Sequence, residues 1–218
     1  WPEGMATLLP AHRQSPMTQQ LLPPGIDPPP PPLRRQRGAA KPRVRLARSL
    51  FFAIFPPPDV ADAVAVLAAR LDDQHALKAA LTDAHRLHVT LHHLGDFAAV
   101  PPKQLQAARD AAAAVPPPAF EIVFDEATRF DKSRALVLCA GDNSNTALVA
   151  FRQRLGEALA DVGFKPEHGF TPHMTMARTP RKMARQAVAP VRWHADAFAL
   201  VESHVGQGVY EVLARWPA

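Results

Sequence analysis

Short apolar runs alternate with amphipathic stretches along the chain from residue 50 onward. The run at 50–55 has the length of a buried strand, and the prolines at 56–58 end it. Apolar residues then recur at helical spacing from Val60 to Leu71, and Asp59 is placed to N-cap that helix. The pattern predicts a strand followed by a helix, and then a loop at about 81–85.

Two further amphipathic stretches predict helices. Pro101 and Pro102 open the first, and the prolines at 116–118 end it. The second, which is predicted to be the longest helix, is capped within 143–145 and ends at Gly163.

Four more apolar runs predict strands at 120–124, 135–139, about 197–204 and about 209–216. The first two bracket a basic loop with Arg129, Lys132 and Arg134, and the last two meet at a turn over 206–208. A second basic loop follows at 178–185.

Two strand-like runs share a pattern of histidine, apolar residue, threonine and apolar residue. The first begins at His88 within a strand predicted from 87 to 94, ending at the turn signal Gly95-Asp96, and the second begins at His173, 85 positions downstream. Alternation places His88 and Thr90 on one face of a strand, and His173 and Thr175 on one face of another. Chance supplies such a His-x-Thr match about 0.4 times in this chain. One copy in each half predicts an α+β fold with two similar lobes that face each other across a cleft.

The basic charge belongs to the first 48 residues. They hold 11 of the 24 prolines and eight Lys or Arg against two acidic residues, whereas residues 49–218 carry a net charge of −1. This composition predicts a disordered tail with polyproline II character at 1–48 and an ordered domain at 49–218. Sharper interpretations of the tail are an SH3-type ligand, an RNA-steering basic arm or a transit peptide. The ordered part is not a generic polyanion binder.

Cysteine content and hydropathy point to a reducing compartment. Cys139 is the single cysteine, so no internal disulfide forms, and no apolar run reaches the ~18 residues of a membrane span. We expect a cytoplasmic monomer that does not contact a membrane.

Histidine and threonine in this arrangement suit phosphate-ester chemistry. Histidine titrates near neutral pH and serves as acid or base, and threonine hydroxyls bind phosphate oxygens. A rival hypothesis takes His85, His88, His92 and His93 as metal ligands. His88 and His92 lie about 13 Å apart on a strand, too far to share one metal ion. We therefore expect no metal and no cofactor.

These motifs resemble the two-histidine (2H) phosphoesterase superfamily, and within it the RNA 2′,3′-cyclic phosphodiesterases once called 2′-5′ RNA ligases. The resemblance spans about 48–218 and includes the opening run at 50–54, Leu94-Gly95-Asp96, Phe130 to Leu138, and Phe170-Thr171-Pro172 before the second motif. It implies two antiparallel sheets with helices packed outside and the active site in the cleft between them.

The resemblance also implies roles for individual residues. His88 would be the proton donor and His173 the proton acceptor, with Thr90 and Thr175 holding the phosphate. Arg178 would add a charged contact to the substrate. The family usually has Arg-Phe where this chain has His92-His93, so His93 would supply a weaker stacking surface for a base.

The leading hypothesis is hydrolysis of an RNA-terminal 2′,3′-cyclic phosphate, or of a small cyclic nucleotide, to a 2′-phosphate. The reverse reaction would be 2′-5′ RNA ligation. A non-catalytic RNA-binding module on the same fold is an alternative. Another is a 2H enzyme that acts on a different cyclic phosphate or on a 2′-5′ oligonucleotide.

Overall fold

Nine antiparallel strands and three helices form the part of the chain that this computed structural model describes, residues 47–141, 145–167 and 169–217. The strands are β1 (Arg48–Ile54), β2 (Ala80–Leu81), β3 (Val89–Phe97), β4 (Phe120–Phe130), β5 (Ala135–Cys139), β6 (His173–Arg178), β7 (Gln186–Ala195), β8 (Phe198–His204) and β9 (Val209–Trp216). The helices are α1 (Pro58–His75), α2 (Pro102–Ala113) and α3 (Thr146–Asp161), and a 3-10 turn at Ala84–Arg86 precedes β3.

The chain divides into two units, Trp1–Pro42 and Arg43–Ala218, and every described residue lies in the second. The tail predicted at 1–48 therefore lies outside the described residues, except for Ala47 and Arg48. Over the described ranges, no helix combines the length and apolar character needed to cross a membrane.

The sheet consists of two halves that share a strand-helix-strand unit. Its strand order is β7-β4-β5-β6-β3-β1-β8-β9, and the short β2 also pairs with β6. One half holds the strand-helix-strand unit β1-α1-β3, and the other holds β5-α3-β6. A single residue pair, Val89 with Met174, joins β3 to β6, and β2 adds two pairs with β6. The α+β prediction with two similar lobes is confirmed.

The helices pack against one face of this sheet. In β1 the alternate residues Leu50, Phe52 and Ile54 belong to the main hydrophobic core, whereas Phe51 and Ala53 belong to a smaller cluster. The helical stripes enter the main core, including Leu67 and Leu71 of α1 and Phe151 and Leu155 of α3. The second face of the sheet is therefore left for the cleft, and we call it the cleft face.

Several element boundaries differ from the sequence predictions. Asp59 lies inside the first turn of α1, whose N-cap is Pro57, because proline already fits the first helical turn without a side-chain cap. The longest helix is α1, with 18 residues, and α3 has 16. Strand β3 continues through Gly95 to Phe97, since the backbone at Gly95 adopts φ +139 and still pairs with Leu50.

Two strand predictions were also incomplete. Strand β4 extends to Phe130, so Arg129 belongs to a strand and the connecting turn is shorter than predicted. Strand β7 was missed because Pro190 and several polar residues interrupt its apolar pattern. Among the described strands it pairs with β4 alone, and an edge strand tolerates a proline since one side makes no ladder hydrogen bonds.

Candidate active site

His88 lies immediately before β3, one residue outside the strand predicted to hold it. Its Nδ1 donates a hydrogen bond of 2.7 Å to the backbone carbonyl of Arg86. The imidazole stacks on Phe51, with ring centroids 5.1 Å apart, and meets the edge of the Tyr210 ring at 5.4 Å. Because a carbonyl only accepts, the proton is fixed on Nδ1 of the neutral ring and Nε2 is left for a ligand.

The aromatic surroundings change the acidity of His88. Burial lowers the pKa of this histidine from 6.5 to about 4, and the nearby charges of His173 and Arg86 act in the same direction. The hydrogen bond to the Arg86 carbonyl opposes this shift, because it stabilises the charged ring. His88 is consequently neutral at pH 7 in the unliganded protein.

His173 is held in the same way by the second motif. It is the first residue of β6, and its Nδ1 donates a hydrogen bond of 2.8 Å to the carbonyl of Thr171. Phe130 packs edge-on against the imidazole at 5.1 Å. Both histidines thus bond the carbonyl two residues earlier, and within the described residues neither Nε2 has a hydrogen-bond partner.

The strand register brings the two motifs together. Val89 and Met174 pair in antiparallel fashion and are both fully buried in the main core. Extending this register by one residue in each direction sets His88 opposite Thr175, and Thr90 opposite His173, on the cleft face. Side chains in such opposed positions have Cβ atoms about 5 Å apart. The four residues predicted as catalytic therefore form one cluster.

Each motif strand contains an irregularity at the same place. In β3 the register with β1 shifts between Thr90 and His92, and in β6 the register with β5 shifts between Thr175 and Ala177. A bulge inserts one extra residue, so two consecutive residues after each threonine face the core. The next residue returns to the cleft face: His93 in β3 and Arg178 in β6. The two residues predicted to bind substrate are thus equivalent positions of the two halves.

Arg178 and His93 both make local contacts. The Nη1 of Arg178 donates to the carbonyl of Ser133 at 2.8 Å, which ties this exposed side chain to the β4–β5 turn. The Nε2 of His93 lies 3.0 Å from the Ser49 hydroxyl and 3.1 Å from an oxygen of Asp96. His93 lines the same cavity as Thr90 and His173, whereas Arg178 does not line it.

That cavity has a volume of about 440 Å³. Its wall contains Phe130, Phe170, Arg152 and Glu167 in addition to Thr90, His93 and His173. Arg152 donates from Nη2 to Glu167 at 3.2 Å, and its guanidinium lies 4.6 Å from the centre of the Phe170 ring. The sequence analysis missed this pair, since Arg152 is only one of several charged residues along α3 and no motif marks Glu167.

His92 does not join the other histidines. It faces the core with 5% of its surface exposed, and Nε2 donates to the carbonyl of Arg152 at 2.8 Å. Burial lowers its pKa. His88 and His92 therefore point to opposite faces of the sheet, because the irregularity after Thr90 turns His92 away from the face that strict alternation would give it. Over the described ranges, no three His, Cys, Asp or Glu residues cluster in a way that would hold a metal ion.

Other contacts of the two motif histidines were also missed by the sequence analysis. Phe51 and Tyr210 were assigned only to strands, yet they form the surface against which His88 packs. Arg86 lies 4.8 Å from the centre of the Tyr210 ring and supplies the carbonyl for His88. In the sequence, Arg86 is marked only by its position two residues before a motif histidine.

Comparisons with known proteins place this arrangement in a family. The family model of the 2′-5′ RNA ligase superfamily matches residues 56–207. None of the curated proteins compared matches the chain. The crystal structure of E. coli LigT complexed with 3′-AMP is similar, with 24% identity, a TM-score of 0.65, and coverage of 78% of this chain and 97% of that one.

A second solved structure shows the same fold. The protein TT0787 of Thermus thermophilus has 22% identity and a TM-score of 0.62, covering 77% of this chain and 96% of that one. The predicted resemblance to 2H phosphoesterases is confirmed, because the family model spans both histidine motifs and well over half of the residues. The chain belongs to the 2′-5′ RNA ligase superfamily.

Proposed function

We propose that this chain hydrolyses RNA-terminal 2′,3′-cyclic phosphate to a 2′-phosphate, using His88 and His173 as an acid-base pair. The observation that carries the proposal is the matched fixation of the two imidazoles. Each donates Nδ1–H to the carbonyl two residues earlier and keeps Nε2 free of protein partners among the described residues. Membership of the superfamily supports an enzyme of the phosphoesterase class.

In this scheme His173 accepts a proton from water through Nε2 while the water oxygen attacks phosphorus. The bond from phosphorus to the ribose 3′ oxygen breaks, and His88 donates a proton from Nε2 to that oxygen. The product carries the phosphate on the 2′ oxygen. Thr90 and Thr175 hold the non-bridging oxygens, where negative charge increases in the transition state. These steps require no metal ion.

Because the pKa of His88 is low, protonation of His88 depends on the charge of the bound substrate. A proton donor must be charged, yet burial lowers the pKa of His88 to about 4 in the free protein. An anionic phosphate at 4–6 Å raises a histidine pKa by about 1–3 units. We therefore expect kcat to decline with increasing pH, with an apparent pKa between roughly 5 and 7.

Arg178 and His93 complete the proposed site from equivalent positions. Arg178 keeps guanidinium N–H groups beyond the one bonded to Ser133 and adds positive charge beside the phosphate. His93 lines the cavity next to Thr90 and offers its ring to the nucleoside. We propose substrate contact for both residues.

The test is incubation with nucleoside 2′,3′-cyclic phosphates in EDTA, with the product identified as the 2′ or 3′ isomer by phosphorus NMR. His88→Ala and His173→Ala should each lower kcat by at least about 100-fold, the usual contribution of a positioned acid or base. His85→Ala is the matched control, because His85 is exposed and does not line the cavity with Thr90.

The absence of 2′-phosphate product from the wild-type protein would refute the hydrolytic proposal, as would full activity in either motif variant. RNA binding without turnover in that case would favour the non-catalytic alternative. Linear 2′-5′ oligonucleotides and other cyclic phosphates, assayed in parallel, separate the proposed substrate from those of related enzymes.

A further inference from the structure

Glu167 places a carboxylate in the cavity that holds Thr90 and His173. Its Oε2 accepts from Arg152 and lies 3.4 Å from Nδ1 of His92. Among the described residues, no donor bonds Oε1, and 38% of the side chain is exposed. Oε1 is therefore available to a molecule in the cavity, and Oε2 keeps a second lone pair beside its bond to Arg152.

The carboxylate is held by a rigid partner. The Arg152 side chain is 11% exposed, and its Nε donates to the carbonyl of Leu91 at 2.9 Å, at the irregularity that follows Thr90. Arg152 also packs on the face of Phe170. Because Arg152 bonds β3 and Glu167 at once, the position of the carboxylate is fixed relative to Thr90.

The charge at the two ends of the cavity differs. A phosphate suits the end with Thr90 and His173, where no carboxylate lines the wall and the Thr90 hydroxyl can donate to a phosphate oxygen. Glu167 repels a phosphate and instead accepts hydrogen bonds from neutral N–H groups. The substrate group beside Glu167 is therefore an uncharged donor.

The walls of the cavity suit a nucleobase. Thr90, His173 and Glu167 line one cavity with a volume of about 440 Å³. Phe130 and Phe170 line the cavity between these ends, and aromatic rings stack on unpaired bases.

We propose that this cavity binds the base of the nucleotide that carries the cyclic phosphate, and that Glu167 selects guanine. Guanine presents two adjacent donors, N1–H and the 2-amino group, on its Watson–Crick edge. Adenine and cytosine each present an amino group beside an acceptor nitrogen, and uracil presents one N–H between two carbonyl oxygens. A carboxylate therefore accepts more hydrogen bonds from guanine than from any other base.

The proposal rests on the proposed function and predicts a base preference. A well-formed pair of hydrogen bonds to a base gives roughly 5- to 150-fold discrimination. We expect kcat/KM for guanosine 2′,3′-cyclic phosphate to exceed that for the adenosine compound within this range. The uridine compound should be the poorest of the four substrates.

The experiment measures kcat/KM for all four nucleoside 2′,3′-cyclic phosphates with the wild-type chain, Glu167→Gln and Glu157→Gln. Glutamine replaces one acceptor oxygen by a donor amide, so E167Q should reduce the guanine-to-adenine ratio to within about threefold of one. Glu157 is an exposed carboxylate of α3 that does not line this cavity, and E157Q should keep the wild-type ratio.

Calorimetric binding of guanosine and adenosine 2′-monophosphates to the same three proteins provides a second measurement that needs no turnover. Tighter binding of the guanosine compound, lost in E167Q, supports the base site even if hydrolysis is absent and the proposed function fails. Equal treatment of guanine and adenine by the wild-type chain would overturn the proposal. A guanine preference that survives in E167Q would overturn it as well.

Discussion

Replacing Gly156 by alanine should destabilise the protein, although alanine is the better helix former. Gly156 lies in the middle of α3, where glycine costs about 1 kcal/mol relative to alanine. A Cβ added there would stand 2.9 Å from Cε1 and 3.1 Å from Nε2 of His92. The buried imidazole would have to move, and its 2.8 Å hydrogen bond to the Arg152 carbonyl would be lost.

The magnitude follows from three opposing contributions. Overpacking costs about 1–3 kcal/mol, and the lost hydrogen bond costs about 0.5–1.5 kcal/mol. The gain in helix propensity returns about 1 kcal/mol. The net loss is therefore about 0.5–3.5 kcal/mol, which lowers Tm by roughly 1–14 °C in a chain of this size.

The assay is thermal unfolding of four proteins: wild type, Gly156→Ala, His92→Ala and the double variant. In the His92→Ala background the imidazole is absent, so Gly156→Ala should raise the free energy of unfolding by about 1 kcal/mol. Ala160→Gly, at an exposed position of the same helix, is the control and should lose about 1 kcal/mol in both backgrounds. A stabilising effect of Gly156→Ala in the wild-type background would refute the packing argument.

Three other outcomes follow from the structure. The pKa of His88 is about 4 in the folded protein and 6.5 in the unfolded chain, so the unfolded chain binds the proton more tightly. The free energy of unfolding should therefore be unaffected by this group above pH 6.5. It should fall by at most about 3 kcal/mol on acidification to pH 4. Denaturant titrations at both pH values should show a smaller loss in His88→Gln, and equal losses would contradict the burial argument. Asn145→Ala removes the side chain that bonds both the N–H and the carbonyl of Val123, at 2.9 and 2.7 Å. The free energy of unfolding, measured by chemical denaturation, should fall by about 2–4 kcal/mol. An unchanged denaturation midpoint would mean that α3 is held to β4 by packing alone. Deleting residues 1–46 leaves the backbone hydrogen bonds of Ala47 in place. The initial rate of hydrolysis of a mononucleotide cyclic phosphate should then stay within about twofold of the wild-type rate. A large loss of rate would show that the tail contributes to the site.

Hydrophobic periodicity predicted most of the helices and strands because each of them buries one face and leaves the other more exposed. Helix α1 buries Val64, Leu67 and Leu71 at the spacing that the sequence shows. The approach of the His88 motif to the His173 motif was also predictable, since two copies of one strand motif are expected at equivalent positions of two similar halves. Strand β7 was not predictable, because an edge strand with Pro190 carries neither periodicity nor a proline-free run.

The cleft-facing positions after each motif, His93 and Arg178, depend on geometry that alternation does not encode. Strict alternation from Thr175 would place Ala177 on the cleft face and Arg178 in the core. The irregularity in β6 reverses this, and the matching one in β3 does the same for His93. Nothing in the sequence pattern indicates that Glu167 and Arg152 meet, because their contact depends on how the segment after α3 returns to the sheet.

The single pair of Val89 and Met174 has a consequence for the origin of such a chain. Each half contributes one histidine and one threonine, so neither contains both members of the proposed acid-base pair. Each half alone would also expose the edge of its motif strand, which invites pairing with another chain. A self-complementary contact between two copies is the geometry of a twofold dimer. A half-length chain that dimerised through this edge would therefore bring its two motifs together, as the present chain brings together the motifs of His88 and His173.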